Sequence, residues 1–507
     1  MSESSEVLAA TEPTDPATPS APSEPTELDP KRWRALGVIA IASLMVVLDA
    51  SIINIALPHA QAALNISDAN KSWVVTAYTL AFGGLLLLGG RIADFWGRKR
   101  AFIVGLLGFA AASALGGLAQ TQGELFGARA LQGAFAALLA PASLSLLTVT
   151  FTQSKERAQA FGVYGAISGG GAAIGLILGG VLTEYANWRW TLLVNVPIAI
   201  IAAILAIGPI RESKATGDTK YDLPGAITAT LGLAMLVYAL TKAATPGVGW
   251  SSAETIGLIA GALALLVIFI VIELRTKHPL LPMRVVLNRN RGGSYIANFL
   301  TGIGLFGMFL FMTYYFQIVL HYSPLRSGFA FLPFSIGVIL SAGIAAQLLP
   351  RFGPRLPATF GLIMMTVGML WLSRITPTSD YWTAVLPALI VISLGLANVF
   401  VPLASTALFG VGSHDAGVAS AVLNTTNQVG GSVGTALLNT IAATATLNYV
   451  MAHGQAGELE GLVRGFTTAF KVGAGVLGVA AILVFVMINA TKDSLKAHDD
   501  APAVHVG

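Results

Sequence analysis

Two ionisable side chains stand where charge is costly. Asp49 lies in the apolar run from Leu36 to Pro58, about eight residues from its outer end, or roughly 12 Å deep at ~1.5 Å per residue. Holding a charge at that depth costs at least ~2.5 kcal/mol, so an ionisable group there is a functional candidate by default. Desolvation raises a carboxyl pKa and a nearby cation lowers it, so a carboxylate that alternates between such surroundings loads and releases a proton. The other reading is an Asp held permanently neutral or permanently paired, which only fixes packing. Arg129, followed by Gln132 and Gly133 in Arg129-Ala130-Leu131-Gln132-Gly133, is the basic counterpart. Its run passes inward where that of Asp49 passes outward, and at about four residues from the outer end it reaches the level of Asp49 or Asn54. A partner on the first run is expected, either Asp49 directly or Asn54 with nearby carbonyls through water. Snorkelling to the outer interface is the alternative.

Three other stretches carry polar or small residues in a telling order. In GRIADFWGRKR, from Gly90 to Arg100, two glycines (Gly90 and Gly97) permit a tight turn. Asp94 is placed to accept charge-assisted hydrogen bonds or to cap the next helix, and Arg98, Lys99 and Arg100 follow. A breakable Asp94–Arg latch and a plain helix stop flanked by cations both account for it. Gly165, Gly169, Gly170, Gly171, Gly175, Gly179 and Gly180 fall mostly four or five apart on one run, which allows a close helix interface that rocks, bends or simply packs. Asn424, Thr425, Thr426, Asn427 and Gln428 interrupt another apolar run and are expected to face a cavity or a neighbouring helix. Tyr314, Tyr315 and Gln317 are candidates to line the same space, although an aromatic interface belt explains the tyrosines equally well.

These residues must be positioned by membrane-spanning helices. Apolar types make up 55% of the chain and charged types 11%, against roughly 25% charged in soluble proteins. The absence of Cys excludes disulfides, thiolate metal sites and cysteine nucleophiles. A formal charge of +4 gives no reason to expect a nucleic-acid partner. Two GxGxxG stretches, Gly302 to Gly307 and Gly473 to Gly478, lie inside apolar runs with no preceding strand and so are not dinucleotide sites. No P-loop, HExxH or metal-ligand spacing occurs, so no cofactor and no metal are expected.

With about 20 apolar residues needed per crossing, fourteen spans are expected, starting near residues 35, 73, 101, 125, 158, 189, 222, 254, 292, 327, 357, 382, 416 and 468. With the amino end inside, 21 of the 29 Lys and Arg fall at cytoplasmic ends or loops, 7 at outer ends, and Arg129 inside a span. That is the bias of the positive-inside rule. Residues 1–32 form an acidic, proline-rich cytoplasmic tail and 491–507 a second one. The loop ending the second span is echoed by Ala346 to Leu356, with Gly97 and Gly353 matched. Two six-helix bundles, 33–210 and 281–490, are therefore expected around an inserted pair of helices in 211–280. Repeats meeting at a midplane cavity are the usual architecture of secondary transporters, while a repeated helix-stop signal alone would give a similar echo.

Leu48 to Pro58 (LDASIINIALP) resembles the first-helix signature of the fourteen-helix drug:proton antiporters of the major facilitator superfamily, and Gly90 to Arg100 the loop signature of the superfamily. Trp73 and Tyr78, Arg129-x-x-Gln132-Gly133, Trp188-Arg189-Trp190 with Asn195-Val196-Pro197, and Ala416 to Ser420 continue the resemblance in order. It implies an all-α integral membrane protein of the major facilitator fold in a bacterial inner membrane, both termini cytoplasmic, acting as a monomer. It also implies that Asp49 and Arg129 couple protons, supported by Asn54 and Gln132. Gly90, Asp94, Gly97, Arg98 and Lys99 would form a cytoplasmic gate, and Gly171, Gly175, Gly179 and Gly180 the antiporter glycines. Two positions depart from the pattern: Leu176 stands where the antiporter signature has proline, and Pro350 where the first-half loop has Asp94, so any latch is one-sided.

The expected function is export of an amphipathic small molecule in exchange for protons, by alternating access and with no enzymatic step. Trp73, Tyr78, Tyr314, Tyr315, Gln317, Asn424, Asn427 and Gln428 are the cavity candidates. Alternatives are a translocator of lipids or lipid conjugates and, from another class, a membrane sensor without transport.

Overall fold

The structure, a computed structural model, describes residues 30–215, 221–245, 247–411 and 416–490, without the side chains of 154, 155, 158, 165, 166, 168, 169 and 416. Most of the expected amino-terminal tail and all of the carboxy-terminal one lie outside the described residues. So do Lys220, Lys492 and Lys496.

The described chain is helical. The first half comprises α1 (Arg32–Ala63), α2 (Trp73–Trp96), α3 (Arg98–Leu118), α4 (Gln122–Thr150), α5 (Ser154–Tyr185), and α6 (Trp190–Leu193) continued by α7 (Asn195–Ala206). α8 (Leu223–Ala243) and α9 (Ala253–Arg275) form a hairpin. A short α10 (Met283–Val286) leads to α11 (Arg289–Tyr314), which ends in a π-turn over Tyr315–Val319. Then follow α12 (Pro324–Ala330), α13 (Leu332–Phe352), α14 (Arg355–Leu372), α15 (Leu386–Leu408), α16 (Ala416–His453) and α17 (Glu458–Met487). Every expected span start falls on or beside one of these helices.

Eleven of the described helical segments are long and apolar enough to cross a membrane. The described part of α5 from Gly170 and the α6–α7 unit are shorter apolar helices. α16, with the amides Asn424, Asn427 and Gln428, meets the length but is not among the eleven.

Helix ends follow from local chemistry. α4 starts in a capping box in which the Thr121 hydroxyl accepts from Glu124 N and the Glu124 side chain returns to Thr121 N. The α2–α3 joint turns on Gly97 at φ 129° and the α13–α14 joint on Gly353 at φ 70°. The two glycines matched in sequence thus share a positive φ, which glycine adopts without steric cost.

Within the first half α1 packs on α5, α2 and α3 on α4, and α3 on α7; within the second, α11 packs on α16, α13 on α15, and α14 on α15 and α17. The halves meet where α2 lies along α16 and where α12 and α13 lie along α5. The α8–α9 hairpin leans on α2 and α16 from outside. α9 presents Leu263, Val267, Ile268 and Leu274 outward, as a lipid-facing helix must. Arg98, Lys99, Arg100, Arg211, Arg284, Arg289 and Arg291 cluster at one end, the basic end of the molecule. The loops around Asn65, Tyr322 and Thr376 make the far end.

Candidate functional site

Asp49 on α1 is 0% exposed and Arg129 on α4 is 1% exposed. They form a direct ion pair, Arg129 Nη1 donating to Asp49 Oδ2 at 2.6 Å. The other carboxylate oxygen, Oδ1, accepts from Gln132 Nε2 at 2.9 Å and from Asn195 Nδ2 of α7 at 2.8 Å. Arg129 also donates from Nε to the Val74 carbonyl of α2 at 3.0 Å and from Nη1 to Gln132 Oε1 at 2.9 Å. Its guanidinium sits 4.5 Å from the centre of the Tyr78 ring. Gln132 Nε2 also donates to Ser113 Oγ of α3 at 2.6 Å. One carboxylate therefore ties together α1, α2, α3, α4 and α7. Full satisfaction of both partners is the condition under which a buried pair offsets its desolvation.

Arg129 does not snorkel, and Asn54 is not its partner. The Asn54 amide bonds back to the Ala50 carbonyl at 3.1 Å and lines a cavity instead. Arg129 reaches Asp49 directly because the two side chains sit at one level on packed antiparallel helices. Asn195, Ser113 and the Val74 carbonyl are members that the sequence reasoning missed. The signal for Asn195 was present, since it is an amide within the otherwise apolar α7.

The cavity holds about 980 Å³ and lies between the halves, at the upper end of the usual range for small-molecule sites. Its walls come from α1, α2, α4, α5, α11, α15 and α16, with Phe82, Phe306, Phe309 and Phe400 among apolar side chains. Asn54, Asn298, Asn424, Asn427 and Gln428 give it polar points. Asn298 Oδ1 and Asn427 Nδ2 are buried without a hydrogen-bond partner among the described residues. Tyr78, Ala50 and Ser51 form the wall in front of the ion pair, so Asp49 lies directly behind it. The cavity runs to the basic end, where Gly90, Arg91 and Asp94 line it.

The far end is closed by contacts between the halves. The Tyr314 hydroxyl donates to Gln61 Oε1, Gln317 Nε2 to the Ile55 carbonyl at 2.8 Å, and Asn439 Nδ2 to the Asp68 carbonyl at 2.9 Å. Leu325 N donates to Glu184 at 2.9 Å. Lys71, paired with Asp68 at 2.9 Å, lies 4.2 Å from the centre of the Tyr314 ring.

Of the expected cavity residues, Tyr78, Asn424, Asn427 and Gln428 do line it. Tyr314 and Gln317 belong to the far-end closure, and Tyr315 donates to the Thr376 carbonyl at 2.8 Å. Trp73 packs beside Phe126 and the Leu80–Val237 cluster. Trp73 was expected in the cavity from the resemblance and the other three from their place near the outer end of a span, and neither reveals at which end the halves touch.

At the basic end Asp94 pairs with Arg98 at 2.9 Å. The loop is clamped to residues 207–215 of its own half. Glu212 accepts from Lys99 N and Arg100 N at 3.1 and 3.2 Å, Lys99 Nζ donates to the Ile207 carbonyl at 2.6 Å, and Arg98 N to the Ser213 carbonyl at 3.0 Å. The start of α3 is thus satisfied by Glu212, not by Asp94 as one expectation had it. A Cβ on Gly97 would lie 2.8 Å from that carboxylate. The α5 glycines form the seam with α1: a Cβ on Gly175 would meet Ser51 Oγ at 2.7 Å, and one on Gly179 the Ile52 carbonyl at 2.8 Å. Gly171 faces Leu44 and Val47, and Gly180 turns the other way, 2.6 Å from Leu325 Cα of α12. Leu176, the residue in place of proline, lines the cavity.

A family model described as Major Facilitator Superfamily matches residues 39–435. The chain belongs to the major facilitator superfamily. This major facilitator is 48% identical over 472 residues to the puromycin resistance protein pur8 of Streptomyces alboniger, covering 92% of this chain and 93% of that protein. It is 39% identical to the cephamycin export protein CmcT of Amycolatopsis lactamdurans, covering 81% and 85%. Its fold is similar to that of a bacterial homologue of the human lysosomal transporter Spinster, with a TM-score of 0.63 at 15% identity, covering 94% of this chain and 99% of that one. The protein is accordingly a multi-pass membrane transporter and not an enzyme.

Proposed function

We propose that this major facilitator exports amphipathic, antibiotic-like small molecules across a bacterial inner membrane in exchange for protons, with Asp49 as the proton carrier. The observation that carries this reading is a fully buried carboxylate, ion-paired to Arg129, directly behind the wall of a drug-sized cavity. The relatives named for puromycin and cephamycin support the substrate class. In the proposed topology the chain acts as a monomer and crosses the membrane fourteen times, counting α5, α6–α7 and α16. Its bundles are 33–210 and 281–490 around the inserted hairpin, and both termini and the basic end are cytoplasmic. With the basic end inside, the 21 Lys and Arg assigned to cytoplasmic ends or loops outnumber the 7 at outer ends, which is the sense of the positive-inside bias.

In this state the cavity faces the cytoplasm and Asp49 is paired with Arg129. Protonating Asp49 from the outer phase removes its charge and with it the pairing energy that binds α1 to α4. Arg129 keeps the Val74 carbonyl, Gln132 and the face of the Tyr78 ring, and α1 is free to shift along the α5 glycine seam. Closing the far end and reopening the cytoplasmic end returns the carboxyl to Arg129, and the proton passes to the cytoplasm, which restores substrate binding. The membrane potential adds about 2.3 kcal/mol per charge per 100 mV. Asp94, Arg98 and Lys99, held with Gly97 in the clamped loop and with Gly90 at the mouth, form the cytoplasmic gate. Arg91 and Asp94, at the mouth, are the charged residues of the described lining. A neutral, zwitterionic or singly charged substrate is therefore favoured over a dication.

The test is drug-induced pH change in inverted vesicles. Wild type should move protons on drug addition and Asp49→Asn should not. An Asp49→Asn protein that still couples drug to proton flux removes the carrier role.

A further inference from the structure

The α8–α9 hairpin buries a second pair of carboxyls that the transport scheme does not use. Asp222 caps α8, its Oδ1 accepting from Gly225 N at 2.8 Å. Glu273, near the end of α9, accepts from Leu281 N through Oε2 at 3.0 Å. Because the two helices pack antiparallel, the start of one lies beside the end of the other. The side chains are 6% and 3% exposed. The second oxygen of each, Asp222 Oδ2 and Glu273 Oε1, has no hydrogen-bond partner among the described residues. Both oxygens converge on one point: a Cβ on Gly225 would lie 2.5 Å from the first and 3.0 Å from the second.

The charges facing this pair decide what it binds. Arg91 of α2 is the cation that acts on Glu273, and it donates to the Pro279 carbonyl at 3.2 Å. One guanidinium against two carboxylates leaves one negative charge uncompensated in apolar surroundings. A single proton between the free oxygens removes that charge and gives both atoms a partner. A metal ion fits less well, since among the described residues no group of three or more His, Cys, Asp or Glu exists to hold one.

The pair also holds a movable segment. Residues 276–282 form a strap from α9 to α10, pinned by Leu281 N on Glu273 and by the Pro279 carbonyl on Arg91. Between these pins Leu280 lines the cavity together with Arg91.

We propose that Asp222 and Glu273 are a second proton-binding site, holding one proton between Oδ2 and Oε1, and that loss of this proton releases the strap from the cavity mouth. The step is a simple dissociation: the O–H bond breaks, the proton passes to water at the basic end, and both carboxyls are left ionised. Their repulsion then spreads the hairpin ends, and both compete for Arg91 at the expense of its bond to Pro279.

The chain has no cysteine, so a nitroxide attached to Lys277→Cys, exposed on the strap, reports on the full-length protein in liposomes. Its mobility should rise as the pH is raised, with a midpoint above the ordinary carboxylate value of about 4.3. In the Glu273→Gln background, where the amide oxygen still accepts from Leu281, the label should remain immobile at every pH. Asp222→Asn, which keeps the cap, should do the same and decides the matter if Glu273→Gln fails to fold. An infrared band of a neutral carboxylic acid at neutral pH should be present in the parent and absent from Glu273→Gln. A line shape that does not change between about pH 5 and about pH 9, or one that titrates unchanged in both variants, overturns the proposal. No transport is read, so this result and the Asp49 result fail independently.

Discussion

The two halves of the transporter bury polarity in opposite ways. In the first half the buried group is an ion pair, and both oxygens of Asp49 are occupied by donors from α4 and α7. In the second half the buried groups are amides, and Asn298, Asn398 and Asn439 each bind a backbone carbonyl through nitrogen while leaving the oxygen unpaired. Gln317 does the same across to α1. A charge in an apolar interior demands complete satisfaction, whereas a neutral amide survives with one atom idle at a cost of about 1–3 kcal/mol. In the proposed cycle the first half holds or releases charge, and the second makes and breaks contacts with a ligand or with its partner half.

The sharpest way to break this contrast is to orphan the charge. Arg129→Ala leaves Asp49 buried with two amide donors only, and should lower stability by about 3–5 kcal/mol, read as thermal unfolding in detergent, with transport lost. Next is the α1–α5 seam, along which the proposed shift of α1 runs. Gly179→Ala puts a methyl against the Ile52 carbonyl and should cost about 1–3 kcal/mol as overpacking.

Gly180→Ala strikes Leu325 in the closed far end, so it should shift the population toward an open far end. Spin labels at Tyr185→Cys and Trp382→Cys, both exposed, should then report a longer distance. An unchanged distance means that Gly180 packs without gating.

Gln317→Leu should be milder, about 0.5–1.5 kcal/mol, because its oxygen is already idle. A loss as large as that of Arg129→Ala erases the contrast between the halves.

The smallest effect concerns Asp68 in the far-end loop. Desolvation on its inner side pushes its carboxyl up, but the Lys71 charge and the hydrogen bonds from Lys71 and Gln61 outweigh it and hold it below the usual carboxylate range. A depressed pKa contributes stability above the unfolded value of about 3.9 and loses it as pH falls through the folded one. Asp68→Asn should therefore flatten the acid limb of a stability profile by under about 1 kcal/mol, since the side chain is largely exposed.

What could be read from the chain alone tracks the strength of the physical constraint. An acid and a cation in apolar runs are so costly that their meeting was foreseeable, and every expected span start fell on or beside a helix, although eleven of the described segments are long and apolar enough to cross a membrane. Asn195, quoted in the resemblance and visible as an amide in an apolar run, was not assigned to the site because an isolated amide in a span costs far less than a charge. Tyr314, Tyr315 and Gln317 were placed in the cavity because hydropathy gives depth along a helix but not which end of two halves is pressed together. Asp222 and Glu273 sat at helix ends, where acids are ordinary. Only the antiparallel hairpin brings their free oxygens to one point, and that proximity has no periodic signature.

Tyr78 stands between the cavity and the ion pair, and Asp49 has no exposed surface in this state. A compartment filled with water or drug therefore has no direct route to the carboxylate, however wide its mouth. For an exporter of the proposed kind that screen acts as insulation: it keeps hydrogen ions from leaking down their gradient during the interval when cargo is being collected.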